Sequence, residues 1–155
     1  MRRADREMST EFALGVFAAA EYATLSSVSA DGEPYGVPVS PVMMNGAVYF
    51  HCATEGHKLD NIAANPQACI SAVSRTKLVP SMFTTEYDSA IVFGTCEIVA
   101  DDEEKREALR EICRKFAPPA MAERVERMIE SSLGETAVCR VTIDRITGKS
   151  NGGKG

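Results

Sequence analysis

The chain has 155 residues, of which 45% are hydrophobic and 25% charged. That is the composition of a single globular domain and excludes a disordered chain. Seventeen Lys and Arg against 22 Asp and Glu leave a net charge of −5, which weighs against nucleic acid or an anionic membrane surface as partner but leaves room for a local phosphate site.

The elements follow in chain order. Ser9-Thr10-Glu11 opens a helix to about Ala20, with Phe12, Val16 and Ala19 or Ala20 on one face. Its apolar run ends in three alanines, but Asp5, Glu7 and Glu11 precede it and Glu21 follows, so a secretory leader is not expected. A strand is expected at 22–29. Asp31-Gly32 signals a hairpin into a second strand at 34–42, and Asn45-Gly46 a hairpin into a third at 47–53. Residues 34–54 carry no charge, yet Pro34, Pro38, Pro41, Asn45 and Gly46 punctuate them, so they read as strands and turns and not as a membrane span. Pro38 and Pro41 lack ladder donors, which suits an edge strand or a segment whose backbone faces something other than a strand.

A short helix over 55–65 stops at Pro66, with Leu59, Ile62 and Ala63 as its apolar side. A strand at 68–74, an irregular stretch at 75–85 and a long strand at 87–99 follow, with Gly94 as a bulge or bend. Asp101-Asp102-Glu103-Glu104 begins a helix to Phe116 with Leu109, Ile112, Cys113 and Phe116 as its stripe. After Pro118-Pro119 comes a helix at 120–133, burying Met121, Val125, Met128, Ile129 and Leu133 and capped by Gly134. A final strand spans 136–146, ahead of a mobile tail. Hairpin-ordered strands with few helices predict a mainly β protein, a small antiparallel barrel with helices packed outside.

The informative segment for chemistry is Tyr49 to Asn61, where a strand ends and a helix begins. Free N–H groups and the helix dipole there favour an anion, Gly56 permits close approach, and His57 and Lys58 add donors. A phosphate monoester suits this cradle; a solvated basic pair on a surface helix suits it equally. His51 points opposite to Phe50 and Cys52 and is either a hydrogen-bonded strand residue or a catalyst. Zinc spacing and a Ser-His-Asp order are absent. Five cysteines, odd in number and without C-x-x-C, fit reduced thiols in a cytoplasmic protein. A phosphate cradle with few acid–base groups suits a bound cofactor that carries the reaction.

The segments Met1 to Met8, Asp31 to Val39, Tyr49 to Ala53, Gly56-His57-Lys58-Leu59-Asp60-Asn61, Ile91 to Gly94 and Ile146 to Lys149 resemble the Nim-type 5-nitroimidazole resistance proteins, a group of the pyridoxamine 5′-phosphate oxidase-like FMN-binding split barrels. The resemblance implies a six-stranded antiparallel split β-barrel over residues 1–149, a tail at 150–155, and a homodimer with FMN at the subunit interface. It places Gly56, His57 and Lys58 on the FMN phosphate, with Asn61 as a further phosphate or ribityl contact. Val37, Pro38 and Val39, with His51, Cys52 and Ala53, would lie near the flavin ring. Thr84, Thr85 and Ser89 would reach it from the partner chain. The implied activity is FMN-dependent reduction of small electron-poor molecules, nitroaromatics such as 5-nitroimidazoles among them. NAD(P)H is the candidate electron donor and His51 the candidate catalytic residue. The alternatives are a flavin- or haem-binding protein without turnover, and a pyridoxamine 5′-phosphate oxidase; the extra arginines and long C-terminal substrate element of true oxidases have no convincing equivalent here.

Overall fold

A computed structural model describes residues 2–152. Among them are nine strands: β1 (Glu7–Met8), β2 (Ala23–Val28), β3 (Pro34–Val39), β4 (Val42–Met44), β5 (Ala47–Ala53), β6 (Gln67–Val79), β7 (Thr84–Ile98), β8 (Thr136–Val141) and β9 (Arg145–Asn151). Four α-helices accompany them: α1 (Thr10–Ala19), α2 (His57–Ala64), α3 (Asp102–Phe116) and α4 (Ala122–Ser132). No helix among the described residues is long and apolar enough to cross a membrane.

Every strand pairing is antiparallel, and the main path runs β3-β2-β6-β7-β8-β5-β4, with β9 against β7 and β1 against β9. The two ends of this path, β3 and β4, are joined by Ser40 and Pro41 alone. Three residue steps of at most ~3.6 Å separate Val39 from Val42, so the ends must lie side by side. The sheet is therefore rolled, but its hydrogen bonds do not close it. The architecture is a split barrel, mainly β with flanking helices, as expected; its strands number nine and not six.

Both hairpin signals act as turns. Gly32, Asn45 and Gly46 have φ of 90°, 50° and 75°, the left-handed region that Gly and Asn tolerate. The predicted second strand is two, broken at Ser40-Pro41 where the chain crosses the seam, and β3 lies at the sheet edge as its prolines require. The stretch expected to be irregular at 75–85 is mostly ladder: β6 and β7 pair from Gln67–Thr95 out to Val79–Thr84, with one irregularity between Val73 and Arg75. They form an arm whose tip exposes Leu78, Met82 and Phe83.

The predicted last strand is also two. Phe93 to Cys96 on β7 is three residue steps, but their partners Arg145 and Val141 lie four apart. The extra residue bulges at Thr142–Asp144, so β8 and β9 share one edge of β7 with a jog between them. Gly94 lies beneath that jog and is not itself a bulge, since its register with Ala68 is continuous. Ser150 and Asn151, expected in a mobile tail, pair with Asp88 and Tyr87; the rest of that expected tail from 153 onward, like Met1, lies outside the described residues.

The barrel interior is filled by Leu25, Val39, Val48, Phe50, Ile70, Val92 and Val141, and α1 closes it with Ala13, Val16, Phe17 and Ala20. Val16 and Ala20 are buried as predicted, while Phe12 is half-buried and Ala13 and Phe17 complete the face. A second cluster joins Ala108, Leu109 and Ile112 of α3 and Ile129 of α4 to Val42, Tyr49 and Val138. Phe116, Met121 and Met128, assigned to the buried stripes, are exposed. Asp101 is the cap of α3, accepting from Glu104 N at 2.8 Å, and not its first residue. Gly134 is not in the left-handed conformation of a C-cap glycine. Glu126 and Glu130 are paired with Arg110 and Arg106 of α3 at 3.0 and 2.8 Å.

Lys115 ties the barrel ends to the helical layer. Its Nζ donates to Phe17 O at 3.0 Å and Pro41 O at 2.6 Å, and partial burial lowers its pKa. Lys115→Met keeps the apolar stem and strands two carbonyls. A loss of about 1–3 kcal/mol is expected, read as a lower urea midpoint at unchanged m-value.

Candidate functional site

The split leaves two strand edges without ladder partners. β3 pairs only with β2 over Pro34–Val39, and Phe50–Ala53 of β5 pairs only with β8 among the described residues. Helix α2 begins where β5 leaves this seam. Gly56 precedes it at φ 128° and ψ 164°, a conformation essentially restricted to glycine. Gly56 O accepts from Leu59 N at 2.8 Å and Asp60 N at 3.2 Å, while the N–H groups of His57 and Lys58 have no partner within the helix, as at any helix start.

The helix is held by its buried side. Leu59 and Ile62 join the barrel core. Asn61 and Ser27, the two buried polar residues among those described, bond to each other, Asn61 Nδ2 donating to Ser27 Oγ at 3.1 Å. At 2% exposure, Asn61 fixes α2 to β2 and presents little surface to a ligand. The His57 ring lies 4.4 Å from that of Tyr35 on β3, tilted by 35°. In the β2–β3 turn, the Ser29 hydroxyl and then the backbone amides of the turn lower the Asp31 carboxyl. Lys58 is half-buried and acts electrostatically on Cys52 and Cys139. The first turn of α2 thus touches Tyr35 on one wall of the seam, and the Lys58 charge acts on Cys52 of the other.

The remaining predicted residues divide by strand alternation. Val37 and Val39 pack on the barrel interior and Pro38 faces out beside Thr24. His51 and Ala53 are on the exposed face of β5, opposite Val138 and Thr136. Neighbours shield His51 enough to lower its pKa, favouring the neutral imidazole. Cys52 turns inward. Its thiol is held far above the usual range, first by its contact with Cys139 and then by burial. Cys139, lowered by Cys52 but raised more by Cys96 and by burial, stands at about 12. These are neutral thiols, without the thiolate a nucleophile needs. Thr84, Thr85 and Ser89 lie on the β6–β7 arm. Asn151 Nδ2 donates to Thr85 O at 2.5 Å and Thr84 Oγ1 at 3.4 Å, and Ser89 Oγ to Lys149 O at 3.4 Å; they are not brought to α2 of the same chain.

Sequence reasoning missed Tyr35 and Ser27. Ser27 carried a signal, a polar residue at an inward position of an alternating strand. A second hollow, about 580 Å³, opens over Tyr49, Glu104 and Arg140. At its base Arg140 donates to Glu104 at 2.7 Å and Glu97 at 3.0 Å, and Tyr49 to Glu104 at 2.8 Å, while Arg140 Nε is buried without a partner.

The pyridoxamine 5′-phosphate oxidase family profile matches residues 13–150. The chain belongs to that family. The flavocytochrome Anf3 from Azotobacter vinelandii superposes on this family member with a TM-score of 0.84 at 20% identity, over 99% of this chain and 72% of that one. An FAD and heme binding protein from Mycobacterium smegmatis gives 0.79 at 24% identity, over 96% and 74%. A candidate 5-nitroimidazole antibiotic resistance protein from Bacteroides thetaiotaomicron gives 0.75 at 24% identity, over 93% and 86%. At such identities these likenesses establish the fold. No curated protein sequence matches the chain.

Proposed function

We propose that this member of the pyridoxamine 5′-phosphate oxidase family binds a flavin nucleotide in the seam between β3 and β5 and reduces small electron-poor molecules, 5-nitroimidazoles among them. The observation that carries the reading is the start of α2. A glycine-only turn, two free N–H groups and Lys58 stand at one end of two open strand edges, an anion cradle continued by backbone donors and acceptors that suit a heteroaromatic edge. The flavin, FMN or a larger nucleotide containing it, would supply the hydride and electron chemistry, with NAD(P)H as donor.

In this reading Gly56, His57 and Lys58 hold the phosphate. The strand edges at Val37–Val39 and His51–Ala53 orient the ring, and Asn61 and Tyr35 position α2. His51, exposed and favouring its neutral form, offers a hydrogen bond to flavin or substrate beside it. The family's flavin-, FAD- and haem-binding structural neighbours are in keeping with a cofactor here. The absorbance spectrum of the purified protein tests the proposal. Flavin bands near those of the free cofactor, bleached on adding NAD(P)H and restored by a nitroimidazole, are expected; a Soret band in their place overturns it.

We also propose a homodimer. Leu78, Met82 and Phe83 on the arm tip are 75%, 72% and 98% exposed, an apolar surface that a second copy would cover, and the arm would carry Thr84 and Thr85 toward the partner's seam. Sedimentation should show a dimer. A stable monomer that still binds flavin tightly counts against it.

A further inference from the structure

A groove of about 410 Å³ adjoins the cradle, on the outer face of the sheet, within the ~300–1,000 Å³ of small-molecule clefts. Register defines its floor. Gly36 faces Ser26, Ser26 faces Cys69, Cys69 faces Phe93 and Phe93 faces Arg145, a single row crossing β3, β2, β6, β7 and β9. Directly opposed residues point to one face. Three strand spacings of ~4.8 Å separate Gly36 from Phe93, so a shelf of glycine, serine and cysteine about 14 Å long ends against an aromatic ring. The Arg145 guanidinium lies over that ring, 4.0 Å from its centroid. It makes no ion pair among the described residues.

Two residues join shelf and cradle. Tyr35 borders the groove and touches His57, and Ser27 borders it and accepts from Asn61. The groove therefore lies around the tip of edge strand β3 from the phosphate end of the site, away from the ring end at His51. No carboxylate lines it, in a chain with 22 of them. A floor without carboxylates, an aromatic wall and the Arg145 charge above that wall suit an anionic, aromatic group attached beyond the phosphate.

We infer that the groove takes the adenylate arm of a flavin dinucleotide, with the second phosphate near Arg145 and the purine against Phe93, so that the chain binds FAD in preference to FMN. The inference rests on the flavin reading above. Apo-protein is titrated with FMN and with FAD, following flavin fluorescence, in the parent and two variants. Gly36→Leu fills the shelf without strain, because a Cβ at Gly36 meets only Thr24 Cγ2, at 3.6 Å. Phe93→Ala removes the wall. FAD should bind at least about tenfold tighter than FMN to the parent, and each variant should erase that advantage while FMN affinity stays within about twofold. Equal or weaker binding of FAD, or a parallel loss of both flavins in the variants, overturns the inference and leaves the flavin reading standing. Failure of both flavins to bind the parent overturns both.

Discussion

Gly94→Val should prevent the chain from folding. β7 passes beneath the bulge between β8 and β9 at this residue, and a Cβ there would lie 1.6 Å from Thr142 O and 2.8 Å from Thr142 C. Both obstacles are backbone, so no rotamer relieves the clash. The crossing is clamped on either side, by Thr142 N to Thr95 O at 3.0 Å and Asp144 N to Phe93 O at 3.0 Å. Relief would require lifting β8 and β9 from β7, opening a core that includes Val92, Cys96 and Val141. A loss of about 4 kcal/mol or more is expected, most of a typical stability of ~5–15 kcal/mol. Gly15→Val is the control, since nothing lies within 4 Å of a Cβ on that exposed helical glycine. A soluble Gly94→Val protein with a urea midpoint near that of the parent would show that the strands do not cross here.

Lys58→Ala and Gly56→Ala should each weaken flavin binding with little effect on the fold. Lys58 supplies the ammonium beside the free amides of α2, and losing a charge-assisted hydrogen bond to phosphate costs about 1–3 kcal/mol, roughly five- to 150-fold in Kd. Gly56 acts through the backbone. At φ 128° and ψ 164°, alanine is strained by ~1–3 kcal/mol, and the peptide turns to relieve it, swinging the amides off the anion. Lys58→Arg keeps the charge and should retain most of the affinity, whereas a stability defect alone would show in the circular dichroism melt of the apo-protein. If Lys58→Ala binds flavin as tightly as the parent, His57 and Lys58 are a solvated pair on a surface helix.

The legible parts of this protein are those whose physics is local. Asp31-Gly32 and Asn45-Gly46 dictate their turns because Gly and Asn reach positive φ cheaply, and β5 between turn and cradle has its predicted bounds, Ala47–Ala53. The cradle could be read for the same reason: a strand end, a glycine and two basic residues at a helix start lie within six positions. Burial on α3 and α4 was only half legible, since periodicity names a stripe but not how much of it a neighbour covers; Phe116 and Met128 stay exposed.

What only the tertiary structure decided depends on partners far along the chain. Residues 75–79 carry no continuous strand pattern, and they become ladder because Glu86, Tyr87 and Asp88 fold back on them and Ser150 and Asn151 continue the sheet. One apolar alternation from 136 onward splits in two because Gly94 lets the chain cross there. Ser27 meets Asn61 and Tyr35 meets His57 across 34 and 22 positions, so the residues that aim the cradle have no sequence signature beside it. The sequence by itself determined the turns, the placement of Gly56, His57 and Lys58 at a helix start, and the antiparallel class, through backbone preferences spanning a few residues. The seam, the arm and the shelf beside the cradle came from rolling the sheet, because which distant backbone and side-chain groups become neighbours is set by packing the whole chain around one core.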